Sequence, residues 1–226
     1  MGPVQKKATA GDSTQNMAAA VLIIVATTVC YSNSFSAPFL LDDVGAIVEN
    51  SSIRDLSKPW TVLTGATHAT VIGRPLLNLS LAINYAISGT ESLWDYHVVN
   101  LTLHLIAALL LFGITRRTLL LPSISASTQR HALGLATAIS LLWAIHPLQT
   151  ESVTYIVQRA ESMVAVFYFL ALYSVIRGAT STQSGCWYVT AVLSCAFGVA
   201  SKEVIVTAPV VILFYDRIFL GDDIEG

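Results

Sequence analysis

Asp42 and Asp43 stand side by side just past an apolar run, in the stretch FLLDDVGAIVENSSIR. Two neighbouring carboxylates suit three kinds of chemistry. One takes a proton from a hydroxyl nucleophile while the other orients it, the pair holds a divalent cation, or one acid caps a short helix running from Val44. Adjacent acids also raise each other's pKa, which favours a base of useful strength. Two further sets of polar residues have helical spacing. In YHVVNLTLH, His97, Asn100 and His104 fall at i, i+3 and i+7, so they share one helix face. In HPLQTESVTYIVQRAES, Glu151, Thr154, Gln158 and Glu161 repeat that spacing, with His146 ahead of them and Arg159 among them. Arg74 precedes Pro75, and Lys202 and Glu203 form an adjacent pair that reads either as a functional couple or as an interfacial ion pair. Histidines near acids raise the question of a metal, but no H-E-x-x-H or comparable spacing occurs, and no metal ligands are assigned.

The elements that must position these groups are membrane helices. Of the 226 residues, 54% are hydrophobic and only 12% are charged, about half the charge of a soluble domain. Six apolar runs stand out, at 17–31, 98–114, 132–145, 162–176, 187–200 and 204–220. Several reach the ~20 residues of a span only with their flanking polar turns. A shorter stretch, 75–88, mixes Asn78, Asn84 and Ser88 with Leu and Ile and reads as interfacial or re-entrant. Backbone in hydrocarbon must satisfy its own hydrogen bonds, so the spans are expected to be helices. Pro209 in the last run predicts a kink. The expected fold is all-α, a polytopic transmembrane bundle of about six spans. It divides into a cytoplasmic tail at 1–16, a membrane domain at 17–220 and a C-terminal stub at 221–226. An outer loop at about 36–96 carries short interfacial helices.

With the N-terminus inside, Lys6, Lys7, Arg116, Arg117, Arg130, Arg177 and Arg217 are cytoplasmic, against Arg54, Lys58, Arg74, Arg159 and Lys202 outside. That seven-to-five bias follows the positive-inside rule. The alternative for the first run is a signal peptide, with Lys6 and Lys7 before a short apolar core and small residues at Ser34 and Ser36. Either way the acids Asp42, Asp43, Glu151, Glu161 and Glu203 lie outside with Arg74, His97, His104, His146, Arg159 and Lys202. A charge at mid-bilayer costs about 2.5–3.5 kcal/mol on insertion scales, so polar residues within or near spans have partners or a task. Two polar stripes entering from one side describe the walls of an outward-facing cavity. The net charge of −2 gives no footprint for nucleic acid. Cys30, Cys186 and Cys195 form no C-x-x-C pair and no disulfide framework. Asn50, Asn78 and Asn100 each begin an N-x-S/T acceptor pattern; Asn78 and Asn100 lie too near the membrane, and Asn50 suits glycosylation only in a eukaryotic secretory compartment.

Five motifs in order resemble the membrane part of the GT-C glycosyltransferases. These are FLLDDVGAIVENSSIR, GRPLLNLSLAINYAISG, WDYHVVNLTLHLIAALLLF, LLWAIHPLQTESVTYIVQRAES and ASKEVIVTAPVVILFYDR. The wording is most similar to the transmembrane and tetratricopeptide-repeat O-mannosyltransferases and their bacterial relatives. The resemblance implies a multi-pass enzyme of a bacterial inner membrane or an endoplasmic reticulum membrane. Such an enzyme moves a sugar, mannose by family, from a polyprenyl-phosphate carrier to a hydroxyl of an acceptor protein, with inversion. It implies that Asp42 and Asp43 are catalytic, one as acceptor-activating base and its neighbour as its orienter or as ligand to a divalent cation. Arg159 and Lys202 then become counter-charges to the donor phosphate. Arg74, His97, Asn100, His104, His146, Glu151, Glu161 and Glu203 line the polar cavity. Gly73 departs from the family pattern, which often has an aromatic there. The family also carries more spans and tetratricopeptide repeats, so the chain reads as a fragment or a truncated product. Two other readings stand beside the transferase. One is a non-catalytic lipid-phosphate-binding or assembly subunit. The other is a small transporter with a His–Glu proton relay, for which no inverted repeat is found.

Overall fold

The computed structural model describes residues 10–221, with side chains from residue 12. Lys6, Lys7 and the stub beyond Gly221 lie outside the described residues. Among the described residues the chain is all-helical. Helix α1 (Ala10–Cys30) begins in the polar stretch ahead of the first apolar run. Helices α4 (Trp94–Leu119) and α8 (Arg159–Thr180) likewise outgrow their apolar runs by recruiting polar turns at both ends. At 1.5 Å per residue, 21 to 26 residues give about 32 to 39 Å, enough to cross ~30 Å of hydrocarbon. Met17, Val21, Val25 and Val29 of α1 are all at least half exposed, as residues turned toward lipid should be.

The other three apolar runs are shorter or broken. Helix α6 (Ala132–Ala144) stops ahead of His146-Pro147 and meets the segment Pro147–Thr154, which includes α7 (Thr150–Thr154), at 51°. Proline at 147 disfavours helix in the residue before it, and His146 is extended accordingly. Helix α9 (Ser184–Val199) has 16 residues. The last run is divided into a tight turn at Glu203–Thr207, α10 (Ala208–Tyr215) and a wide turn at Asp216–Leu220. Pro209 lies in the first turn of α10, where a missing N–H costs nothing, so it starts a helix instead of kinking one. Among the described residues, three helices are therefore long and apolar enough to cross a membrane by themselves, or four counting the bent pair, where six spans were expected.

Long-range hydrogen bonds show how the passes alternate. At one end, the Tyr31 hydroxyl donates to the Ala144 carbonyl at 3.3 Å, Ser34 and Thr154 share a bond of 2.7 Å, and the Leu76 N–H donates to Ala200 at 3.0 Å. At the other end, Thr118 and Tyr215 share one of 2.7 Å, close to Arg116 and Arg117. Arg117 and Arg177 stack over Tyr173 and Trp187. The end of α1, the start of α4, the end of α6 and the start of α8 thus gather at one pole, together with the loop that joins α1 to α4.

That loop is folded. It holds turns at Ser32–Ser36, Val44–Val48 and Ser51–Ile53, then α2 (Pro59–Thr64) and α3 (Pro75–Ser88). Both helices open on proline at their first turn. Gly73 adopts φ +74, a left-handed value that strains any residue with a Cβ, so the aromatic expected there does not suit this backbone. Ile47, Ile53, Val62, Leu77 and Leu81 pack on Tyr96, Ile156 and Met163 of the bundle. A buried polar knot joins the loop's parts. The Asn50 amide donates to Ala46 and to Asn78 at 2.9 Å each, Ser52 donates to Asn50, and Asn78 donates to Ser52 and to the Val62 carbonyl. Asn50 is 3% exposed and its amide is engaged, so the expected glycosylation site is a core residue instead. Replacing Asn78 with alanine strips partners from Asn50, Ser52 and Val62 at once. The expected cost is about 2–3 kcal/mol, read as a lowered unfolding midpoint of the purified protein in detergent.

Candidate functional site

Asp43 is fully buried, and both of its carboxylate oxygens are occupied. One accepts from the Val157 N–H at 2.7 Å and the other from the Leu40 N–H at 3.0 Å. Val157 lies in the tight turn Ile156–Gln158 that leads into α8. The acid therefore caps an element 114 residues downstream, not the turn beginning at Val44, where it makes no side-chain cap. Burial pushes the Asp43 carboxyl above its usual range, and the N–H bonds from Leu40, Val157 and Ile156 oppose that rise. Leu41 at φ 39 makes the sharp bend that sends Asp43 inward. Asp42 stays half-buried at the surface of the same bend. Its N–H donates to the Tyr155 hydroxyl at 2.9 Å. Burial and the Asp42 charge raise the pKa of that hydroxyl. Of the two acids, Asp42 is the one a second molecule can reach.

Arg159 is the largest fully buried side chain, at 0% exposure. Its Nε donates to Asn100 Oδ1 at 2.7 Å, one terminal nitrogen donates to the Ser80 carbonyl at 3.2 Å, and the other donates to the Tyr96 carbonyl at 3.1 Å. The guanidinium also sits 5.9 Å from the Tyr96 ring centroid. The sequence reading gave this residue to a donor phosphate. The structure instead spends its donors on α3 and α4, and leaves no path for a phosphate to it. Arginine at the start of a span looks like a headgroup ligand in sequence, because two of the acceptors that bury it are main-chain carbonyls with no signature.

The stripe on α4 does share one face, but its members bind neighbouring backbone. His97 Nε2 pairs with the Ala37 carbonyl at 3.0 Å, and His104 Nε2 with the Ala144 carbonyl at 2.8 Å. Asn100 donates to the carbonyls of Val153 and Ile156, each at 3.3 Å. The second stripe is not on one helix, because the chain breaks between α7 and α8. Thr154 bonds Ser34 and lines one cavity beside Tyr31, Glu151 is exposed, and Glu161 faces another cavity. His146 is exposed and its Nδ1 caps the turn Pro147–Gln149 by accepting from Leu148 at 3.2 Å. Neither His146 nor Glu151 belongs to the site.

Besides the Asp55–Lys58 pair within the loop, the loop pole holds two ion pairs between distant segments. Lys202 contacts Glu161, and Arg74 lies 3.4 Å from Glu203, whose side chain is mostly exposed. Beside the first pair opens a cavity of about 280 Å³ between α6, α7, α8 and the turn at Glu203–Thr207. Its lining includes His104 and Glu161 from the sequence reading, and also Trp143, Gln149, Ser152 and Ser162, which that reading passed over. Gln149 and Ser152 alternate with Glu151 in the motif, so the side that faces inward depends on the bend at Pro147. Among the described residues no three His, Cys, Asp or Glu side chains converge. Each Asp43 oxygen already accepts one backbone N–H.

No family model matches the chain, and no solved structure matches it significantly. It is similar to protein O-mannosyl-transferase Tmtc2 of Drosophila melanogaster, 33% identical over 205 residues that take in 83% of the chain and 20% of the relative. It is 28% identical to human protein O-mannosyl-transferase TMTC3 over 180 residues, 76% of the chain and 18% of the relative. Human protein O-mannosyl-transferase TMTC1 is 31% identical over 179 residues, 74% of the chain and 18% of the relative. The chain spans about one fifth of the length of these curated relatives.

The unequal surroundings of the two acids make a stability prediction. An amide at position 43 can accept one backbone N–H but turns a donor toward the other. Asp43→Asn should therefore cost about 1–3 kcal/mol, whereas Asp42→Asn should stay within about 0.5 kcal/mol of the parent. Unfolding midpoints of the two variants in the same detergent, converted with a shared denaturant slope, check the difference. Equal losses would contradict the division of roles.

Proposed function

This chain belongs to the protein O-mannosyl-transferase family of those relatives, and on that footing we propose that it forms the acceptor-activating part of an integral membrane glycosyltransferase. In this reading the loop pole faces the outer or lumenal side. The donor is a sugar, mannose by family, on a polyprenyl phosphate, and the acceptor is a serine or threonine hydroxyl of a protein.

The observation that carries the reading is Asp42. Its neighbour Asp43 and the hydroxyl of Tyr155 fix the bend on either side of it, while its own carboxylate lies at the surface of the fold. In the transfer step the acceptor oxygen bonds to C1 of the sugar from the face opposite the phosphate. The bond from C1 to the phosphate oxygen breaks, and its electron pair leaves with the phosphate. The hydroxyl proton goes to Asp42, and the sugar is inverted. Such a base is worth about 10²–10⁴-fold. Asp43 holds the base in place without meeting the substrate.

The phosphate needs a cation at the same pole. Arg159 is committed to the interior, whereas Lys202 and Arg74 stand in partly exposed ion pairs that an anion can exchange into. Lys202 is the stronger candidate because it sits at the mouth of the cavity, against Glu161.

Two measurements test this together. Saturable binding of labelled polyprenyl-phosphate mannose to the chain in nanodiscs should weaken about tenfold in Lys202→Ala, the equivalent of one charge-assisted bond. In transfer assays, Asp42→Asn should lower the rate by about 10²-fold or more with donor binding unchanged. Transfer that survives Asp42→Asn would remove the base assignment. Absence of donor binding by the folded chain would favour a non-catalytic assembly role.

A further inference from the structure

The cavity beside Glu161 has a composition that the transfer step does not use. Its mouth is polar, with the Gln149 amide, the Glu161 carboxylate and the Ser152 and Ser162 hydroxyls. Its depth is aromatic, with Trp143 and Phe169 in edge-to-face contact at 5.5 Å. Several of the polar groups keep capacity to spare. One Glu161 oxygen meets Lys202, which leaves the second free of any recorded ion pair. Gln149 accepts from Ser152 at 3.3 Å through its Oε1, so its two N–H donors remain. His104 Nε2 faces the Ala144 carbonyl, which only accepts, so in the neutral ring Nε2 carries the proton and Nδ1 is an acceptor. Donors and acceptors interleaved over a small area, against an aromatic wall, match a ligand with many hydroxyls on one side and C–H groups on the other.

Size narrows the class. About 280 Å³ falls just below the ~300–1,000 Å³ of pockets that take drug-sized ligands. A single pyranose ring fits that space, and an oligosaccharide does not. Position narrows it further. Glu161 lies four residues beyond Val157, the residue that Asp43 holds, so the mouth is about one helical turn along α8 from the acid pair. Lys202 closes the same mouth.

We propose that this cavity is a monosaccharide subsite, taking the pyranose of the lipid-linked donor while its phosphate stays at Lys202. The assignment rests on the donor reading above. Gln149 and Glu161 bond the ring hydroxyls, and Trp143 and Phe169 take its C–H face. Glu161 then has two tasks, holding Lys202 with one oxygen and the sugar with the other.

The test compares two lipids in nanodiscs, polyprenyl phosphate bearing mannose and the same polyprenyl phosphate without sugar. In the parent chain the sugar-bearing lipid is expected to bind about tenfold more tightly, the equivalent of a few hydrogen bonds net of desolvation. Gln149→Ala should cut that ratio to near one while affinity for the sugarless lipid stays put. Val204→Trp supplies a second route, because Val204 lines the cavity from an exposed position and a large ring there fills it without touching the core. It should exclude the sugar-bearing lipid and spare the other. If both lipids bind and the ratio is indifferent to both substitutions, the sugar lies elsewhere and only the subsite is lost. If neither lipid binds to the folded chain, the donor reading falls as well.

Discussion

The architecture depends on one buried cation. Arg159 enters the interior at the first turn of α8 with a charge that hydrocarbon would reject, and among the described residues no carboxylate pairs with it at contact distance. It is tolerated because its donors end on oxygens of Ser80, Asn100 and Tyr96. Those oxygens belong to α3 and α4. A planar fork of N–H groups tolerates little displacement, so the guanidinium fixes the loop helix, the second long helix and the start of α8 relative to one another. The apolar contacts of Ile47, Leu77, Leu81 and Met163 around it supply cohesion, which is non-directional, whereas the arginine supplies register.

Asp43 performs the same service for the segment before the loop helices. Leu41 stands in the left-handed region at φ 39 and is 85% exposed, so no packing of its side chain repays the strain. What holds the bend is the carboxylate two residues later, bonded to Leu40 on one side and to Val157 on the other. The consequence is a division between identical neighbours. One acid is consumed in closing the bend, and the bend presents the other. A substrate base must be both fixed and reachable, and a single residue seldom satisfies both demands.

Much of this was legible in the residues, and the rest failed for identifiable reasons. The helical character, the folded loop and the helix 75–88 followed from hydropathy and from Pro75. The α4 face followed from the spacing of His97, Asn100 and His104. What spacing could not reveal was that this face meets carbonyls instead of open space. Main-chain acceptors are present everywhere and leave no mark on composition. Arg159 was misread for that reason, and Asn50 as well, since an N-x-S/T pattern does not record that its amide is already bonded to Asn78. The stripe from Glu151 to Glu161 failed differently. His146-Pro147 and the turn at Ile156–Gln158 interrupt the helix that the periodicity assumed, which turns Gln149 and Ser152 inward in place of Glu151. Asp42 and Asp43 stand out in the sequence as a pair, but two letters of one type carry no information about which is buried.

The polar groups then sort by depth along the pole. Asp43 and Arg159, wholly inside, have their charged atoms bonded to backbone groups and, for Arg159 Nε, to the Asn100 amide oxygen, and act on geometry alone. Lys202, Glu161, Arg74 and Glu203, partly exposed, form ion pairs with one another that a phosphate or hydroxyl ligand can replace, although Arg74 also donates to the Thr70 carbonyl. Exchange of that kind is inexpensive at a wet surface, where an ion pair is worth about 1 kcal/mol or less. It is prohibitive in the interior, where removing one partner strands a charge. The same physics that commits the buried residues to structure therefore leaves the rim as the part of this pole able to receive a ligand, and the rim is where the open carboxylate and the cavity mouth also lie.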